Sequence, residues 1–391
     1  MPLGLYISVP FCRTKCTYCN FASDVFSKAV FQRYVDRICD DLAHARAAVK
    51  QMGGAIDRAV DSVYFGGGTP TILDISQLER LFVTIWQNFD VQPDAEITVE
   101  CAPGTLTQAV IELFRRYRVN RLSLGVQSLV DQEASSVGRL HGRSIVLDDI
   151  ARLRDAGITN LNLDLIAGLP HQTAQSWDYS LEQVLAARVP HVSVYMLEVD
   201  DDSRLGRELI AGGAKYHAHF VPDEDLTATL YETACERLHA AGVEQYEISN
   251  FARPGQESRH NLKYWTRQPY LGFGVDAHSM LTAAPPHDAV RFSTPDSLEQ
   301  YVAGTSLKPH VIDRHAALEE TFFLGLRLNR GLDLDDVTHD FSSQDVSNLA
   351  PIIDELAHAA LLQRQGSVIG LTPRGRLLSN EVFERFLAVS K

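Results

Sequence analysis

The sequence is poor in cysteine, has no excess of basic residues and contains no long apolar run. It has only six cysteines, and its 36 Lys and Arg stand against 50 Asp and Glu, for a net charge of −14. That balance disfavours a general phosphate-backbone binder, so no nucleic-acid partner is expected. No stretch approaches the roughly 18 to 20 apolar residues that span a bilayer. The first residues lack the basic and apolar parts of a secretion signal. We therefore expect a cytoplasmic protein, and peripheral membrane contact stays open.

The first 270 residues alternate short β-branched runs with longer helical patterns. Such βα repetition is typical of parallel sheets, and 391 residues suffice for a large domain and a small one. The pattern predicts an α/β fold, a partial (βα)6 barrel of the TIM type, whose reacting groups gather at the carboxyl ends of the strands. The six predicted strands are Leu5 to Val9, Ser62 to Phe65, Glu96 to Glu100, Arg121 to Gly125, Asn160 to Leu165 and His191 to Leu197.

The pattern changes after Ala284-Pro285-Pro286. Helices, a short ribbon near Leu361 to Leu371 and a last helix from Pro373 follow, which predicts a small winged-helix-like module. Its first part is acidic, which disfavours nucleic-acid binding. We expect a barrel domain over residues 1–283 and a C-terminal domain over residues 284–391.

The cysteines are clustered in a way that indicates a metal site. Cys12, Cys16 and Cys19 form a CxxxCxxC loop directly after the first predicted strand. Three thiolates in one loop can hold three irons of a four-iron cluster and leave the fourth iron open. A structural zinc site is the alternative, although neither Cys nor His follows closely as a fourth ligand. The remaining cysteines are scattered and are expected to be buried apolar residues: Cys39, Cys101 and Cys235.

A glycine run follows the second predicted strand, at Gly66-Gly67-Gly68-Thr69-Pro70-Thr71. Glycines at a strand end allow a ligand to approach the backbone closely. The run lacks the Gly-Lys-Ser/Thr ending of a nucleotide-binding loop. On its own it is either a ligand-binding turn or a tight bend.

The cysteine loop, with Tyr18 just before its last Cys, resembles the signature of the radical S-adenosylmethionine (SAM) superfamily. That resemblance implies a [4Fe-4S] cluster on the three cysteines and SAM on its open iron. Over nearly the whole chain the sequence is similar to the oxygen-independent coproporphyrinogen oxidase group and its relatives, the radical SAM haem chaperones. The resemblance implies that SAM is bound by Tyr6, Tyr18, Gly67, Gly68, Thr69, Glu100, Gln127, Arg139, Asp164 and Met196.

Two departures of this sequence from the oxidase pattern favour the chaperones. Tyr6 lies almost at the start of the sequence, and no further Cys follows soon after Cys19. The segment ending in His260-Asn261-Leu262-Lys263-Tyr264-Trp265 is similar to the chaperones' haem-associated HNxxYW pattern. The resemblance implies that His260 offers an imidazole to haem iron while Tyr264 and Trp265 supply flat apolar surface. The alternative is an ordered loop that closes the barrel, with His260 merely hydrogen-bonded.

A glycine-rich stretch, Gly272-Phe273-Gly274-Val275-Asp276-Ala277-His278-Ser279, resembles the family's GLGPGAHS. Val275 and Asp276 replace the expected Pro and Gly, which makes the shape of this loop uncertain. His278 is a second, weaker candidate for contact with haem.

The interpretation that results is a haem chaperone, which binds haem and transfers it to acceptor haemoproteins with the help of the cluster, SAM and an electron donor. Whether SAM is turned over stays open, as does a homodimer. Three alternatives are an oxygen-independent coproporphyrinogen III dehydrogenase, an anaerobic haem-degrading radical SAM enzyme, and a binding module with structural zinc.

Overall fold

A computed structural model describes residues 1–283 and 288–387. The strands are β1 (Leu3–Val9), β2 (Gly54–Ala55), β3 (Ala59–Gly67), β4 (Asp90–Cys101), β5 (Arg121–Gln127), β6 (Asn160–Ala167), β7 (His191–Met196), β8 (Glu244–Gln245), β9 (Asn250–Ala252), β10 (Tyr270–Phe273), β11 (His278–Ala283), β12 (Ala289–Ser293), β13 (His310–Ile312), β14 (Leu332–Asp333), β15 (Leu362–Gln365) and β16 (Val368–Leu371).

The helices alternate with these strands through the first half of the chain and dominate its end. They are α1 (Phe31–Gln51), α2 (Ile75–Asn88), α3 (Gln108–Arg116), α4 (Asp131–Ser136), α5 (Arg143–Asp155), α6 (Ala174–Ala187), α7 (Arg204–Ala211), α8 (Glu224–Ala240), α9 (Arg259–Trp265), α10 (Leu298–Ala303), α11 (Arg314–Gly325), α12 (Leu334–Asp340), α13 (Ser343–His358), α14 (Pro373–Leu377) and α15 (Ser379–Leu387).

The six predicted strands are confirmed as β1, β3, β4, β5, β6 and β7. They are neighbours in that order and all pair in parallel, so their carboxyl ends meet at one edge. On the other side of β1 the sheet continues through β10 to β13, and beyond β7 it continues through β9 to β8. Among the described strands β7 does not pair with β1, so the sheet has the open order of a partial barrel.

Side chains alternate between the two faces of each parallel strand, as pleating requires. On β1, Leu5, Ile7 and Val9 are fully buried among apolar residues of the main core. The covering helices contribute apolar stripes, as in α1, where Tyr34, Val35 and Ile38 are buried at helical spacing. Burial of this outer face fixes the register, because a slip of one residue would exchange the two faces.

The inner face of the sheet is polar and hydrogen-bonded. Asn162 donates to the Ser123 hydroxyl at 2.8 Å and to the Ser193 hydroxyl at 3.0 Å. The Asn162 side-chain oxygen lies 2.7 Å from Nδ1 of His191. Arg121 is also buried here. A buried polar group is tolerated when it is hydrogen-bonded, and this network links three adjacent strands across the interior.

Helix α9 lies at the amino-terminal end of the parallel strands, which we call the barrel floor. The Glu96 carboxylate of β4 accepts the backbone N–H of Arg259 at 3.0 Å and that of His260 at 3.1 Å. Lys263, whose side chain is buried, forms an ion pair with Asp61 of β3 at 2.7 Å. These contacts attach the helix to two strands of the barrel.

The C-terminal module has its own core, in which the Phe322 and Phe386 rings stack at 5.0 Å. Helices α11 to α15 surround the three-stranded sheet β14-β16-β15, which agrees with the predicted winged-helix-like order. The predicted domain boundary at Ala284 lies outside the described residues. Strands β12 and β13, which follow it, pair with the main sheet up to Ile312.

The module also contacts the barrel floor. The Arg327 guanidinium lies 4.3 Å from the centroid of the Trp265 ring, and its Nη2 atom lies 3.8 Å from the buried Glu247 carboxylate. Asn329 donates its backbone N–H to the carbonyl of Tyr246 at 3.0 Å. Within the described part of the chain, no helix has the length and apolarity that crossing a bilayer would need.

The ion pair beneath the barrel predicts a stability effect. Lys263→Met leaves the Asp61 carboxylate without its partner, and loss of one member of a buried pair costs about 3 to 5 kcal/mol. We expect a lower free energy of unfolding in urea denaturation of the full chain. The double variant Lys263→Met with Asp61→Asn removes the unpaired charge and should recover much of the loss. A single-variant loss below about 1 kcal/mol, the range of exposed pairs, would contradict this account.

Candidate functional site

The cysteine loop follows β1 and is held at both ends by backbone contacts. Cys12 donates its N–H to the carbonyl of Asp24 at 3.0 Å, and Thr17 donates its N–H to the carbonyl of Val137 at 3.2 Å. The Thr14 hydroxyl donates to the carbonyl of Gly138 at 3.0 Å. The loop therefore has a fixed path at the carboxyl edge of the sheet.

The thiols of Cys12, Cys16 and Cys19 are free and partly exposed. Burial raises the pKa of Cys12, and the nearby thiols of Cys19 and Cys16 raise it further. The three groups are thus close enough to interact. Within residues 1–283 and 288–387, no three ligand side chains converge so as to hold one metal ion. This donor set fits a four-iron cluster, in which each thiolate binds a different iron, better than one tetrahedral zinc ion.

The glycine turn after β3 packs against the entry to the cysteine loop. Gly68 donates its N–H to the carbonyl of Val9 at 2.8 Å, and Thr69 donates its N–H to the carbonyl of Phe11 at 2.8 Å. A Cβ atom on Gly68 would lie 2.8 Å from both of these oxygens. Gly67 has a φ of +98°, which side chains rarely adopt. Glycine is therefore required here by close backbone approach and by conformation.

Two carboxylates, Glu100 and Asp164, lie in the carboxyl-terminal halves of β4 and β6. Glu100 accepts the Tyr64 hydroxyl at 2.8 Å. Burial and the charge of Asp164 raise the pKa of Glu100 to about 7. Asp164 accepts Ser123 at 3.1 Å and Asn162 at 2.7 Å, and burial raises its pKa. These groups can pair with a cation or accept hydrogen bonds from hydroxyls.

The side chains of Arg139 and Gln127 lie close together near Gly125, at the carboxyl end of β5. A Cβ atom on Gly125 would lie 3.3 Å from Arg139 Nη2 and 3.3 Å from Gln127 Nε2. Arg139 donates to the Tyr18 hydroxyl at 3.2 Å, while its buried Nε has no hydrogen-bond partner among the described residues. Burial opposes the charged form of Arg139, but Tyr18 and Cys16 keep its pKa raised. The Nε–H can donate to an anionic partner, such as a ligand carboxylate.

Gln127 has a φ of +69°. A left-handed backbone is unusual for a residue other than glycine, and such strain of about 1 to 3 kcal/mol is typical of functional sites. A register irregularity of β5 between Gly125 and Gln127 accompanies it. Met196 ends β7 opposite Ala167 of β6. The structure thus gathers the residues predicted for SAM at one edge of the sheet, around the cysteine loop.

The three residues predicted for haem are not gathered in the same way. His260 lies on the barrel floor, 1% exposed, with Nδ1 2.9 Å from the Ser62 hydroxyl and Nε2 2.9 Å from the Tyr264 hydroxyl. Burial and the charge of Lys263 lower the pKa of His260 to about 3. Trp265 packs against Arg327. Only Tyr264 borders the cavity described next.

A cavity of about 290 Å³ opens between the end of the cysteine loop and the turn after β10. Phe21 and Tyr270 contribute apolar walls, while Asp276 and His278 contribute polar groups. The residues that were not predicted for the site include Phe21, Tyr270 and the inner-face residues Arg121, Ser123 and Asn162. Polar residues at alternate positions of predicted parallel strands were the available signal for the inner-face group.

The close backbone packing at Gly68 generates a prediction for metal content. Gly68→Ala places a methyl group against the carbonyls of Val9 and Phe11, and such overpacking costs about 1 to 3 kcal/mol. We expect the cysteine loop to shift and the protein to hold less iron after anaerobic reconstitution, because the affinity for a bound group falls about tenfold for each 1.4 kcal/mol. Gly370→Ala is the matched control, because its Cβ would meet only Gly331 at 3.6 Å. Equal iron content in both variants would show that the contact of Gly68 with the cysteine loop does not support the cluster site.

Comparisons with known proteins agree with this geometry. The family model of the radical SAM superfamily matches residues 6–184, and that of the HemN C-terminal domain matches residues 312–378. The heme chaperone HemW of Lactococcus lactis is 31% identical over 390 residues, which cover 99% of this chain and 97% of that protein. The heme chaperone HemW of Bacillus subtilis is 31% identical, with 98% of each chain covered.

Among solved structures, coproporphyrinogen III oxidase (HemN) from Escherichia coli, described as a radical SAM enzyme, has a TM-score of 0.83. The match covers 98% of this chain and 90% of that chain at 24% identity, which confirms the fold. The family expected from the cysteine loop and its neighbouring motifs is confirmed as well. The chain belongs to the radical SAM superfamily and, within it, to the family of the heme chaperone HemW.

Proposed function

We propose that this protein binds haem and delivers it to acceptor haemoproteins in the cytoplasm. As a radical SAM protein it uses a [4Fe-4S] cluster and SAM. The full-length similarity to proteins named heme chaperone HemW supports the cargo. The observation that carries the proposal is an aromatic-walled cavity directly beside the cysteine loop and the glycine turn, because it gives an apolar macrocycle a place next to the cluster.

Cys12, Cys16 and Cys19 hold the cluster in this proposal. The glycine turn Gly67-Gly68-Thr69 offers backbone groups to the amino end of SAM. Arg139, with its unpartnered Nε, binds the SAM carboxylate. The bound sulfonium supplies the superfamily's radical chemistry, and an external electron donor supplies the reducing electron.

The remaining SAM contacts follow from charge and position. Glu100 and Asp164 face the cationic ligand or accept from its ribose hydroxyls. Gln127 is directed by its left-handed backbone toward the same space. Tyr6 lines the cavity beside Gly67, Tyr18 orients Arg139 by accepting its hydrogen bond, and Met196 offers its backbone.

For haem, we propose that Tyr264 contacts the macrocycle directly. His260 supports Tyr264 through the hydrogen bond between Nε2 and the Tyr264 hydroxyl. Trp265 holds the end of α9 against the module through Arg327. The proposed division places all of these sites in residues 1–283, while β12 and β13 continue the main sheet beyond it as far as Ile312.

The function is tested with protein reconstituted anaerobically and incubated with either haem or coproporphyrinogen III. We expect a stable Soret band, transfer of that haem to apomyoglobin, and no conversion of the porphyrinogen. The triple variant Cys12→Ser, Cys16→Ser and Cys19→Ser serves to show what depends on the cluster. Turnover of coproporphyrinogen, or destruction of the haem, would overturn the chaperone proposal in favour of an enzyme.

The raised pKa of Glu100 predicts a pH dependence for SAM binding. Above pH 7 the carboxylate is ionised and attracts the cationic ligand; as the pH falls through about 7 it takes up a proton and the attraction is lost. Between pH 8 and pH 6 we expect the Kd for SAM to rise about tenfold by linkage. Equilibrium dialysis with labelled SAM measures this.

Glu100→Gln is the control for this experiment, because the amide has nearly the same shape and does not titrate. Any pH dependence left in this variant belongs to the ligand or the cluster. We expect its affinity to be weaker than that of the wild type at pH 8 and similar to it at pH 6. The same pH profile in both proteins would show that Glu100 does not pair with SAM.

A further inference from the structure

The cavity has an accessible imidazole on its wall. His278 begins β11, and 68% of its side chain is exposed. It lines the same cavity as Tyr264, Tyr270 and Phe21. Phe21 is itself 63% exposed, so its ring is free to contact a ligand in the cavity.

The turn that carries His278 is fixed by hydrogen bonds. Asp276 donates its backbone N–H to the carbonyl of Pro295 at 2.9 Å, and Ala277 donates its N–H to the Thr294 hydroxyl at 2.8 Å. Asp276 has a φ of +53°, a conformation in which Asp is one of the tolerated residues. The backbone next to His278 is therefore held in one position by hydrogen bonds.

Asp276 also places a carboxylate beside this imidazole. Its Oδ1 atom lies 3.7 Å from His278 Nε2. A carboxylate next to a metal-binding histidine accepts the N–H of one ring nitrogen and so directs the other nitrogen toward the metal. A small rotation of either side chain brings the pair within hydrogen-bond distance, which leaves Nδ1 for a ligand.

His260 offers no comparable access. Both of its ring nitrogens are hydrogen-bonded, and the residue is buried on the barrel floor. Binding iron there would break at least one of these contacts and leave Ser62 or Tyr264 without its partner, at a cost of about 1 to 3 kcal/mol.

We propose that His278 is the axial ligand of the haem iron, that Asp276 orients it, and that Phe21, Tyr264 and Tyr270 flank the macrocycle. This inference rests on the proposed function, since it assigns the haem site of that function. The exposed imidazole of His278 is accessible from solvent, so haem can reach it without unfolding of the barrel. The position beside Ser23, which lies 3.9 Å from the Cys19 thiol, puts the cargo near the cluster.

The test compares full-length proteins that carry the reconstituted cluster and SAM. His278→Ala is measured beside His260→Gln, which keeps hydrogen-bonding capacity on the floor, and His358→Ala, an exposed histidine of the module, as the matched control. Iron content reports whether each variant retains its cluster. The readouts are the Soret band, the iron–histidine stretching band of ferrous haem in resonance Raman spectra, and the rate of haem loss to apomyoglobin.

We expect His278→Ala to lose the iron–histidine band and to release haem at least about tenfold faster, a change of about 1.4 kcal/mol. Added imidazole should restore an iron–imidazole band, because it replaces the missing side chain. Asp276→Gly should show a smaller increase in the release rate. His358→Ala should keep the wild-type spectrum and release rate, and His260→Gln should keep the iron–histidine band whatever the altered support of Tyr264 does to the release rate.

An unchanged iron–histidine band and release rate in His278→Ala would overturn this assignment, and so would loss of that band in His260→Gln alone. In both cases the wild type would still bind and transfer haem, so the proposed function would stand. If the wild type bound no haem, the proposed function itself would fail.

Discussion

The site depends on the close contact between the end of β1 and the glycine turn after β3. Two backbone hydrogen bonds, from Gly68 to Val9 and from Thr69 to Phe11, join the turn to the start of the cysteine loop. Because no side chain fits between them, the backbone of one segment lies directly on the other. The thiols and the glycine turn consequently keep a fixed relative position, which a ligand that bridges both would require.

Burying polar side chains on the inner face of the barrel costs free energy, and the hydrogen bonds among those side chains offset this cost. Arg121, Ser123, Asn162 and His191 would each be costly to bury alone, but three of them are linked through hydrogen bonds across adjacent strands. Arg121 supplies positive charge beneath Glu100 and Asp164, and in each case it lowers a pKa that burial raises. Glu100, whose pKa is raised to about 7, therefore stays near the point of ionisation at neutral pH, and the pKa of Asp164 is raised by burial as well. Binding of a cation can then change the protonation of Glu100.

The parallel strands, the cysteine loop and the glycine turn could be predicted from the sequence because their signals are local. Alternation, cysteine spacing and glycine position are read within a few residues, and the order of parallel strands then brings their ends together. The surroundings of His260 could not be predicted in this way. Its burial depends on Glu96, which accepts the backbone N–H groups that begin α9 from more than 160 residues away. No spacing in the chain shows to which end of the sheet that helix attaches.

The cavity was missed for the same reason. Phe21 and His278 are far apart in sequence and meet only because β10 pairs with β1. Trp265 looked like a flat surface for a ligand, but in the structure it faces Arg327 of the C-terminal module. An aromatic motif does not reveal whether a ligand or a cation of the same chain covers it.

The contact between Arg327, Trp265 and Glu247 makes the two parts of the chain mutually dependent. Arg327 lies on the indole and beside a carboxylate that is fully buried, so its removal would take away the cation that both of them contact. In an exchange of C-terminal modules between relatives, an incoming module without this arginine would therefore leave the Trp265 ring and the Glu247 carboxylate of the barrel without their cation.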